Sequence, residues 1–337
     1  MKKKLFALAL AFCTLFTSLT GCSSDNAREN NTDKPTLTSD YTSVDINIGC
    51  MKGPTSIGMI KLLSDSDNRT ASNHYNYTIE GTADALSTAL IKGDLDIAAV
   101  PCNLASVLYN KTQGKIVTVA INTLGVLYIV EAGETVQSVE DLKGKTIYST
   151  GQGTTPEYTL RFLLSSAGLN PDVDVDIQYK SEAPEVLAAL TQNSDAVAML
   201  PQPYTTIAMN NNENIRIALD VTKEWEDLCD STVVTGVLVA RKSFIEENKS
   251  GFSRFLEEYN ASTHYANNNI EDTSTLLEKY DIFKAAIAKK AIPYCNVTFI
   301  DGAEMKYKAT SYLKVLYDQN PNSVGGSLEE GMFYIEK

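Results

Sequence analysis

Apolar and polar residues alternate along the chain in two successive series of short strand and helix patterns. In the first series, period-two alternation begins at Val44, and the later apolar runs are short enough for buried strands. The strands of this series are predicted at 44–48, 75–79, 96–100 and 116–121. Helical patterns, each preceded by a polar or Gly/Pro break, are predicted at 57–63, 83–91 and 104–110. This order favours a parallel sheet with helices on its faces.

The second series repeats the same order after Gly133. It opens with a capped turn at 138–144, and its strands are predicted at 145–149, 173–179 and 196–200. An amphipathic helix ending at Ala167 and a second helix at 183–190 lie between these strands. Because the two series share one pattern, the predicted fold class is α/β with two lobes of similar architecture.

Two β-rich segments join the series and are candidates for a hinge. Residues 124–131 lead from the first series into the second, and residues 232–240 lead back into helical sequence. The predicted domains are lobe one at 43–124 and 237–337, and lobe two at 125–236. The alternative is that both segments are central strands of one larger sheet. The helices expected to pack on lobe one lie at 252–265, 273–277, 283–291 and 303–316.

The first residues have the pattern of an export signal. Lysines at 2–4 precede an apolar stretch at 5–15, which is too short and wrongly flanked for a membrane span. The stretch is followed by LTGC at 19–22, which resembles the lipobox of bacterial lipoproteins, whose cysteine is diacylated. An ordinary signal peptide that happens to contain a cysteine is the alternative.

The lipobox resemblance implies a membrane-anchored lipoprotein. We expect a signal peptide at 1–21, lipidation with palmitate-like acyl chains at Cys22, and a flexible tether at 22–42, which has almost no apolar content. The protein would then lie on the outer face of the cytoplasmic membrane, with the lipid bilayer as a partner through the Cys22 acyl chains.

Charge and cysteine content exclude several classes of function. The formal net charge of the 337 residues is −13, and loss of the signal lysines makes it more negative, so a nucleic-acid partner is not expected. Cys50, Cys102, Cys229 and Cys295 either pair in one of three ways or are buried free thiols, which we favour. No C-x-x-C pair is present and the chain has only two histidines, so we expect no metal and no cofactor.

Three segments together resemble a known family. They read INIGCMKGPTSIGMIKLL, EGTADALSTALIKGDLDIAAVP and LKGKTIYSTGQGTTPEYTLRFLL. They are similar to substrate-binding components of ABC importers, in the branch of type II periplasmic binding proteins that includes aliphatic-sulfonate, taurine, nitrate and thiamine-precursor binders. The resemblance covers residues 43 to 320, and its most specific run is IKGDLDI at 91–97. It implies two lobes with two crossing strands, an interlobe ligand cleft, ABC permease subunits as partners, a monomer and no enzymatic activity.

Polar loops at the ends of the predicted strands point to the same cleft. In open α/β sheets, ligands lie beyond the carboxyl ends of the strands, and six loops of this chain should converge there. For any one Ser, Thr or Gly in them, helix capping or turn formation is an equally good interpretation. The candidate ligand-binding residues are Pro54, Thr55, Ser56, Thr82, Cys102, Asn103, Tyr128, Gln152, Thr154, Thr155, Glu182, Gln202 and Tyr204.

The composition of these loops restricts the expected ligand. They contain no arginine, and only Lys52 stands next to one, so a guanidinium fork for an anion is not supported. Helix N-termini alone could still hold a sulfonate or carboxylate. Tyr204, with Tyr128 and Trp225, favours a flat or partly apolar solute, and we expect a neutral or weakly charged, heterocycle-like molecule. Glu182 is either an amine partner or a solvated surface carboxylate.

An enzyme on the same fold is the main alternative. Thiamine-pyrimidine synthases and menaquinone-pathway lyases resemble this architecture, but catalysis needs a poised acid–base or nucleophile set. Neither His74 nor His264 falls in a cleft loop, and Cys102 has no histidine nearby in sequence. Export with a lipid anchor also disagrees with a cytoplasmic biosynthetic role. A sensory lipoprotein that acts without a transporter is a third alternative.

Overall fold

The computed structural model describes residues 42–193 and 195–335. The predicted signal peptide, the acylated Cys22 and all of the tether except Thr42 lie outside the described residues. The strands are β1 Asp45–Met51, β2 His74–Glu80, β3 Ile97–Pro101, β4 Ile116–Leu124, β5 Leu127–Ala132, β6 Thr146–Ser149, β7 Asp176–Tyr179, β8 Val197–Pro201, β9 Ile215–Asp220, β10 Val234–Arg241 and β11 Val297–Ile300.

Helices connect most of these strands and make up most of the chain after β10. They are α1 Pro54–Ile57, α2 Ile60–Asp67, α3 Ala83–Lys92, α4 Cys102–Thr112, α5 Thr155–Ser166, α6 Ala183–Gln192, α7 Tyr204–Asn211, α8 Val221–Leu228, α9 Lys242–Glu247, α10 Lys249–Asn268, α11 Ile270–Lys279, α12 Ala285–Ala291 and α13 Gly302–Gln319. Short 3-10 turns lie at Val139–Leu142, Ile292–Tyr294, Pro321–Val324 and Glu330–Met332. In the described part of the chain, none of the helices is both long and apolar enough to cross a membrane.

Sheet one has the strand order β11-β4-β10-β3-β1-β2. β1 runs parallel to β2 and β3, whereas β10 runs antiparallel to its neighbours β3 and β4. β4 therefore has the same direction as β1 and β3. The carboxyl ends of these strands, together with the start of β10, form one edge of the sheet, where Gly236 pairs with both Pro101 and Thr123.

Sheet two has the order β7-β6-β8-β5-β9 and follows the same plan. β6 is parallel to β7 and β8, and β5 is antiparallel to both β8 and β9. Each sheet thus contains a reversed strand, β10 or β5, that lies between strands of opposite direction. The prediction of two α/β lobes with the type II binding-protein fold is confirmed.

The chain passes between the sheets through two short links. β4 ends at Leu124 and β5 begins at Leu127, so the first link is Gly125-Val126. The second link spans 229–233, between α8 and β10. The segments predicted as crossovers are therefore central strands of their own sheets, and the crossing occurs at one end of each. A Cβ atom on Gly125 would lie 1.7 Å from Thr222 Oγ1, so the first link requires a glycine.

Three hydrophobic clusters fill the space around the sheets, and the described residues belong to one compact unit. One cluster covers one face of sheet one and includes Ile46, Phe252 and Phe255. A smaller one covers a face of sheet two. The largest contains residues of both lobes, such as Leu160 and Leu313. The lobes thus share a continuous apolar core on one side.

The C-terminal helices contact both lobes rather than lobe one alone. α10 and α11 pack against α2, as expected, but α12 packs against α7 and α13 packs against both α4 and α5. The sequence patterns also missed α7, β9, α8 and β11. β11 has only four residues, and β9 is only partly buried, so neither has the apolar run of a central strand.

Each lobe contains a buried carboxylate paired with an arginine. Asp96 Oδ1 accepts a hydrogen bond from Arg241 Nη2 at 2.5 Å in lobe one, and Glu131 Oε1 accepts one from Arg216 Nη2 at 2.6 Å in lobe two. Arg241 ends β10 and Arg216 is the second residue of β9, so both pairs lie at the sheet edges opposite to those where the chain crosses. These two guanidinium groups are therefore held away from the interlobe space.

Candidate functional site

The edges of the two sheets that carry the predicted loops face each other. β4 runs at its carboxyl end directly into the link at 125–126, which enters the start of β5. The start of β5 lies beside the carboxyl ends of β8 and β9, because β5 is antiparallel to both. We call the two facing edges, with their loops, the first and second cleft edges. All six predicted loops lie on them, and they are 53–56, 81–82, 101–103, 151–155, 181–182 and 201–204.

The cleft edges meet at several places. Asn103 is 2 % exposed, and its Oδ1 accepts hydrogen bonds from Thr155 N at 3.1 Å and Thr155 Oγ1 at 3.3 Å. A Cβ atom on Gly81 would lie 3.8 Å from Glu182 Oε1. Near the first link, Tyr128 OH donates to the carbonyl oxygen of Tyr294 at 3.3 Å. Loops 81–82, 101–103, 151–155 and 181–182 thus each approach a loop of the opposite lobe.

A group of buried polar atoms without partners lies at the first cleft edge. Thr55 Oγ1, Asn122 Oδ1, Thr123 Oγ1 and Thr235 Oγ1 have no hydrogen-bond partner among the described residues. A Cβ atom on Gly236 would lie 2.6 Å from both Asn122 Oδ1 and Thr55 Cγ2 and 3.4 Å from Thr123 Cβ, so these three residues adjoin Gly236, which follows Thr235 in β10. We call this group the open polar cluster. Leaving a buried polar group unpaired costs about 1–3 kcal/mol, so such a cluster requires an explanation.

Hydrogen bonds fix the orientation of the Asn122 amide. Its Nδ2 donates to the backbone oxygen of Thr55 at 3.1 Å and to Tyr259 OH at 3.2 Å. The Thr55 carbonyl can only accept, so Nδ2 must face it and Oδ1 must face the other way. The unpaired atom of Asn122 is therefore an acceptor, at a residue that is 1 % exposed.

Several predicted residues form hydrogen bonds within their own loops. Ser56 Oγ donates to Gly53 O at 2.8 Å, and Thr154 Oγ1 donates to Gly151 O at 2.7 Å. Gln202 Oε1 accepts from the Thr206 hydroxyl at 2.8 Å. The hydrogen bonds of Ser56, Thr154 and Gln202 are thus those expected of side chains that stabilise local turns.

The other predicted residues differ in exposure. Pro54 is half-buried at the start of α1, and Thr82 and Gln152 are exposed on opposite cleft edges. Cys102 is buried in the largest hydrophobic cluster, and this burial raises the pKa of its thiol. Its thiolate is therefore disfavoured at neutral pH, which argues against a nucleophilic role.

Aromatic rings lie on both sides of the cleft. The Tyr204 ring meets that of Phe283 edge-on, with centroids 6.0 Å apart. Burial, together with the negative charge of Glu182, raises the pKa of Tyr204. Tyr128 is nearly buried, and its pKa is raised by burial and by the charge of Asp220. Tyr204 and Phe283 thus form an aromatic contact across the lobes.

The expectation for Trp225 is wrong. This side chain is fully buried, and its ring packs against Phe162 at 4.4 Å and Tyr312 at 5.1 Å between centroids. α8 turns its apolar stripe into the core shared by the lobes, so the indole is not available to a ligand in the cleft.

Candidate site residues that sequence reasoning missed are Asn122, Thr123, Thr235, Gly236 and Phe283. The first four lie in β4 and β10, which appear as apolar runs in the sequence. A polar residue inside such an apolar run was the sequence signal that could have identified them. Whether the polar side chains among them lack a hydrogen-bond partner depends on how α1 packs near β10. This packing joins segments that are far apart in the sequence, so no local pattern reveals it.

Metal ligands and acid–base groups are sparse around the cleft. The described residues contain no group of three or more His, Cys, Asp or Glu side chains able to hold a metal ion. His74 begins β2, at the end away from the cleft, and its Nδ1 lies 3.0 Å from Asp45 Oδ1. His264 is exposed on α10. Neither histidine is placed to transfer a proton in the cleft.

Comparison with known families agrees with this architecture. The chain belongs to the family described as ABC transporter, phosphonate, periplasmic substrate-binding protein, which matches residues 72–290. The resemblance to substrate-binding components of ABC importers is thereby confirmed.

Solved structures share the fold over most of the chain. An ABC transporter protein from Parabacteroides distasonis is 25% identical with a TM-score of 0.72, covering 87% of this chain and 99% of that one. The periplasmic aliphatic sulphonate binding protein of Escherichia coli is 17% identical with a TM-score of 0.71, covering 87% and 92%. The periplasmic nitrate-binding protein of Synechocystis is 12% identical with a TM-score of 0.63, covering 86% and 84%. The last two likenesses concern the fold alone.

Among curated proteins, a binding protein of Brucella abortus is 26% identical over 192 residues. The match covers 57% of this chain and 57% of the Brucella protein, so this chain spans little more than half of that relative's length.

Proposed function

We propose that the protein is the extracytoplasmic solute-binding component of an ABC importer. It captures a small organic solute between the cleft edges and delivers it to permease subunits in the membrane, without chemical change to the solute. Membership of the periplasmic substrate-binding family supports this role. A lipid anchor at Cys22 would hold the protein, as a monomer, on the outer face of the cytoplasmic membrane.

The open polar cluster is the observation that carries the proposal. Its hydroxyl and amide atoms are buried, lie on a cleft edge and lack partners within the described chain. A bound solute would supply the missing hydrogen bonds and offset the cost of burying these atoms. The proposed site comprises the predicted residues of the six loops, with the cluster residues and Phe283 added.

Closure would occur around the two links. Gly125-Val126 and residues 229–233 are short and irregular, so changes in a few backbone angles there would rotate one lobe against the other. The Asn103–Thr155 hydrogen bonds and the Tyr204–Phe283 contact join the lobes. Breaking these contacts would let a solute enter and leave.

The test is a pair of isosteric substitutions with opposite expected effects. Thr55→Val removes an unpaired buried hydroxyl, so the ligand-free protein should gain about 1 kcal/mol in free energy of unfolding. The same change should weaken binding of whichever solute a thermal-shift screen identifies, by about tenfold. A solute at a hundredfold excess over its dissociation constant should stabilise the protein by roughly 2.7 kcal/mol.

Thr273→Val is the matched control. Thr273 Oγ1 is also buried and unpaired, but it lies on α11, away from both cleft edges. This variant should gain stability without any change in binding. Equal affinity in the two variants would place the binding site elsewhere, and a screen in which no solute stabilises the protein would contradict the proposed function.

A further inference from the structure

We infer that the C-terminal segment of the chain positions Asn103 for its contact with the opposite lobe, and so sets how firmly the two lobes hold together. This segment follows α13 and runs from residue 320 to residue 335. We call it the C-terminal strap. The inference goes beyond the proposed function, because it concerns the contact between the lobes and not the solute.

One face of α4 binds the strap. Asn103, Ser106 and Asn110 are three and four residues apart, so they lie on the same side of the helix. Asn103 Nδ2 donates to Ser323 O at 3.0 Å. Ser106 Oγ donates to Val324 O at 2.8 Å, and Asn110 Nδ2 donates to the same oxygen at 3.0 Å. These side chains thus supply partners for carbonyl groups of a buried, irregular stretch of backbone.

The far end of the strap is anchored on sheet one. Tyr334 N donates to Thr118 O in β4 at 2.8 Å, and Phe333 forms a parallel bridge with the same residue. The Tyr334 ring meets the Phe252 ring edge-on, with centroids 5.5 Å apart. Because α4 and β4 both belong to lobe one, the strap belongs to that lobe as well.

The strap approaches α4 closely at Gly325. A Cβ atom on this residue would lie 2.9 Å from Val107 Cα and 3.0 Å from Asn110 Nδ2, so an alanine there would push the strap away from the helix. The next residue, Gly326, has open space around the position of a Cβ atom. Both glycines have a left-handed backbone, with φ values of +87° and +97°. They therefore differ in their contact with α4 while sharing one backbone conformation.

The strap fixes the orientation of the Asn103 amide. The Ser323 carbonyl can only accept, so Nδ2 must face the strap and Oδ1 must face the other way. Oδ1 then faces lobe two, where it accepts from Thr155 N at 3.1 Å and from Thr155 Oγ1 at 3.3 Å. Ser323 lies on the same lobe as Asn103, whereas Thr155 lies on the opposite one. The strap thus orients Asn103 before the lobes meet, and such preorganisation strengthens a contact.

A firmer contact between the lobes has a consequence for binding. The apparent affinity of a ligand scales with the fraction of protein in the binding-competent state. The strap would therefore help the cleft to retain a solute by favouring the joined lobes. This consequence rests on the proposed function, whereas the effect of the strap on the lobe contact does not.

Amide hydrogen exchange at Thr155 measures the lobe contact directly. Thr155 is the first residue of α5, where a backbone N–H has no acceptor within the helix. Its protection from exchange therefore depends on Asn103 Oδ1. The rate is measured by NMR on the purified protein without added solute, so the result does not depend on whether the proposed function holds.

Gly325→Ala and Gly326→Ala form the matched pair of variants. Each places an alanine at a left-handed position, so the two carry a similar backbone strain. Gly325→Ala also separates the strap from α4. We expect exchange at Thr155 to be about fivefold faster in Gly325→Ala than in Gly326→Ala, which is the effect of losing one neutral hydrogen bond. The amides of β5, at the centre of sheet two, should stay protected in both variants.

Equal exchange at Thr155 in the two variants would overturn the inference. If Gly325→Ala also lost the protection of β5, Val324→Ala would decide the question. Val324 is fully buried, so this change loosens the packing of the strap without a steric clash. It should speed exchange at Thr155 by about threefold while β5 stays protected. An unchanged rate at Thr155 in Val324→Ala would likewise overturn the inference.

Discussion

The side-chain oxygen of Asn103 in lobe one accepts a hydrogen bond of 3.1 Å from the backbone N–H of Thr155 in lobe two. Asn103 lies in the first turn of α4, and Thr155 begins α5. The same asparagine donates through Nδ2 to Ser323 O at 3.0 Å. One buried side chain thus joins the two cleft edges and the C-terminal segment.

Asn103→Ala should favour separation of the lobes. The change leaves Thr155 N and Ser323 O without their partner, and we expect a loss of about 2 kcal/mol in free energy of unfolding. Small-angle X-ray scattering should show a larger radius of gyration. Asn110→Ala is the control, because Asn110 lies on the same helix but bonds only within lobe one, to Val324 O and Ser327 O. Identical scattering from the two variants would count against an interlobe role for Asn103.

Glu131→Gln should destabilise lobe two. Glu131 is 3 % exposed and accepts hydrogen bonds from Arg216, from Val136 N at 3.0 Å and from the Thr135 hydroxyl at 2.7 Å. Removing one charge of a buried pair costs about 3 kcal/mol, measurable by urea denaturation. Glu134→Gln, an exposed change in the same loop, should have little effect. A loss of similar size in both variants would contradict the buried-pair argument.

The stability contributed by Glu131 should depend on pH. Burial alone would raise the pKa of Glu131, but hydrogen bonds from Val136 and Thr135 and the charge of Arg216 outweigh it, so the pKa lies below its ordinary value. A carboxyl with a lowered pKa stabilises the fold above its unfolded pKa, and this contribution is lost as pH falls through the folded pKa. The difference between the unmodified protein and Glu131→Gln should therefore shrink between about pH 7 and about pH 3. A constant difference over that range would show that Glu131 does not titrate as described.

The cysteines should differ in reactivity. Burial raises the pKa of Cys50 and of Cys295 to about 12, and Cys102 is likewise buried, whereas Cys229 is partly exposed. Because the thiolate is the reactive form, brief iodoacetamide treatment of the folded protein should label Cys229 first among these four. Peptide mapping by mass spectrometry should show labelling of the other three only after denaturation. A disulfide-linked peptide would instead support the pairing alternative.

Cys22→Ala should release the protein from membranes. The expectation follows from the lipobox resemblance, since loss of the acylated cysteine removes the proposed anchor. Fractionation of cells that express each form gives the measurement, with Cys229→Ala as a control that retains Cys22. Persistence of Cys22→Ala in the membrane fraction would contradict lipid anchoring.

Periodicity was sufficient for the elements of both βα series. The strands at 44–48 and 96–100 and the helix at 83–91 correspond closely to β1, β3 and α3. Their apolar runs and glycine or proline breaks act within a few residues, so they are visible locally. The region from α7 to α8 was missed because both helices are short, and part of their buried surface comes from contact with the other lobe, through Tyr204 and Trp225.

The order of elements along the chain was enough to predict the fold class, the two series and the six loops that line the cleft edges. It could do so because strand direction follows from the order of elements, and parallel strands bring their carboxyl ends to one edge. Which polar atoms there lack a partner depends instead on long-range packing. Thr55, Asn122 and Gly236 are far apart in the chain, and their contact depends on β10 being inserted antiparallel between β3 and β4. Long-range packing also buries Trp225 and leaves Glu182 exposed, because burial depends on neighbours that are distant in the sequence.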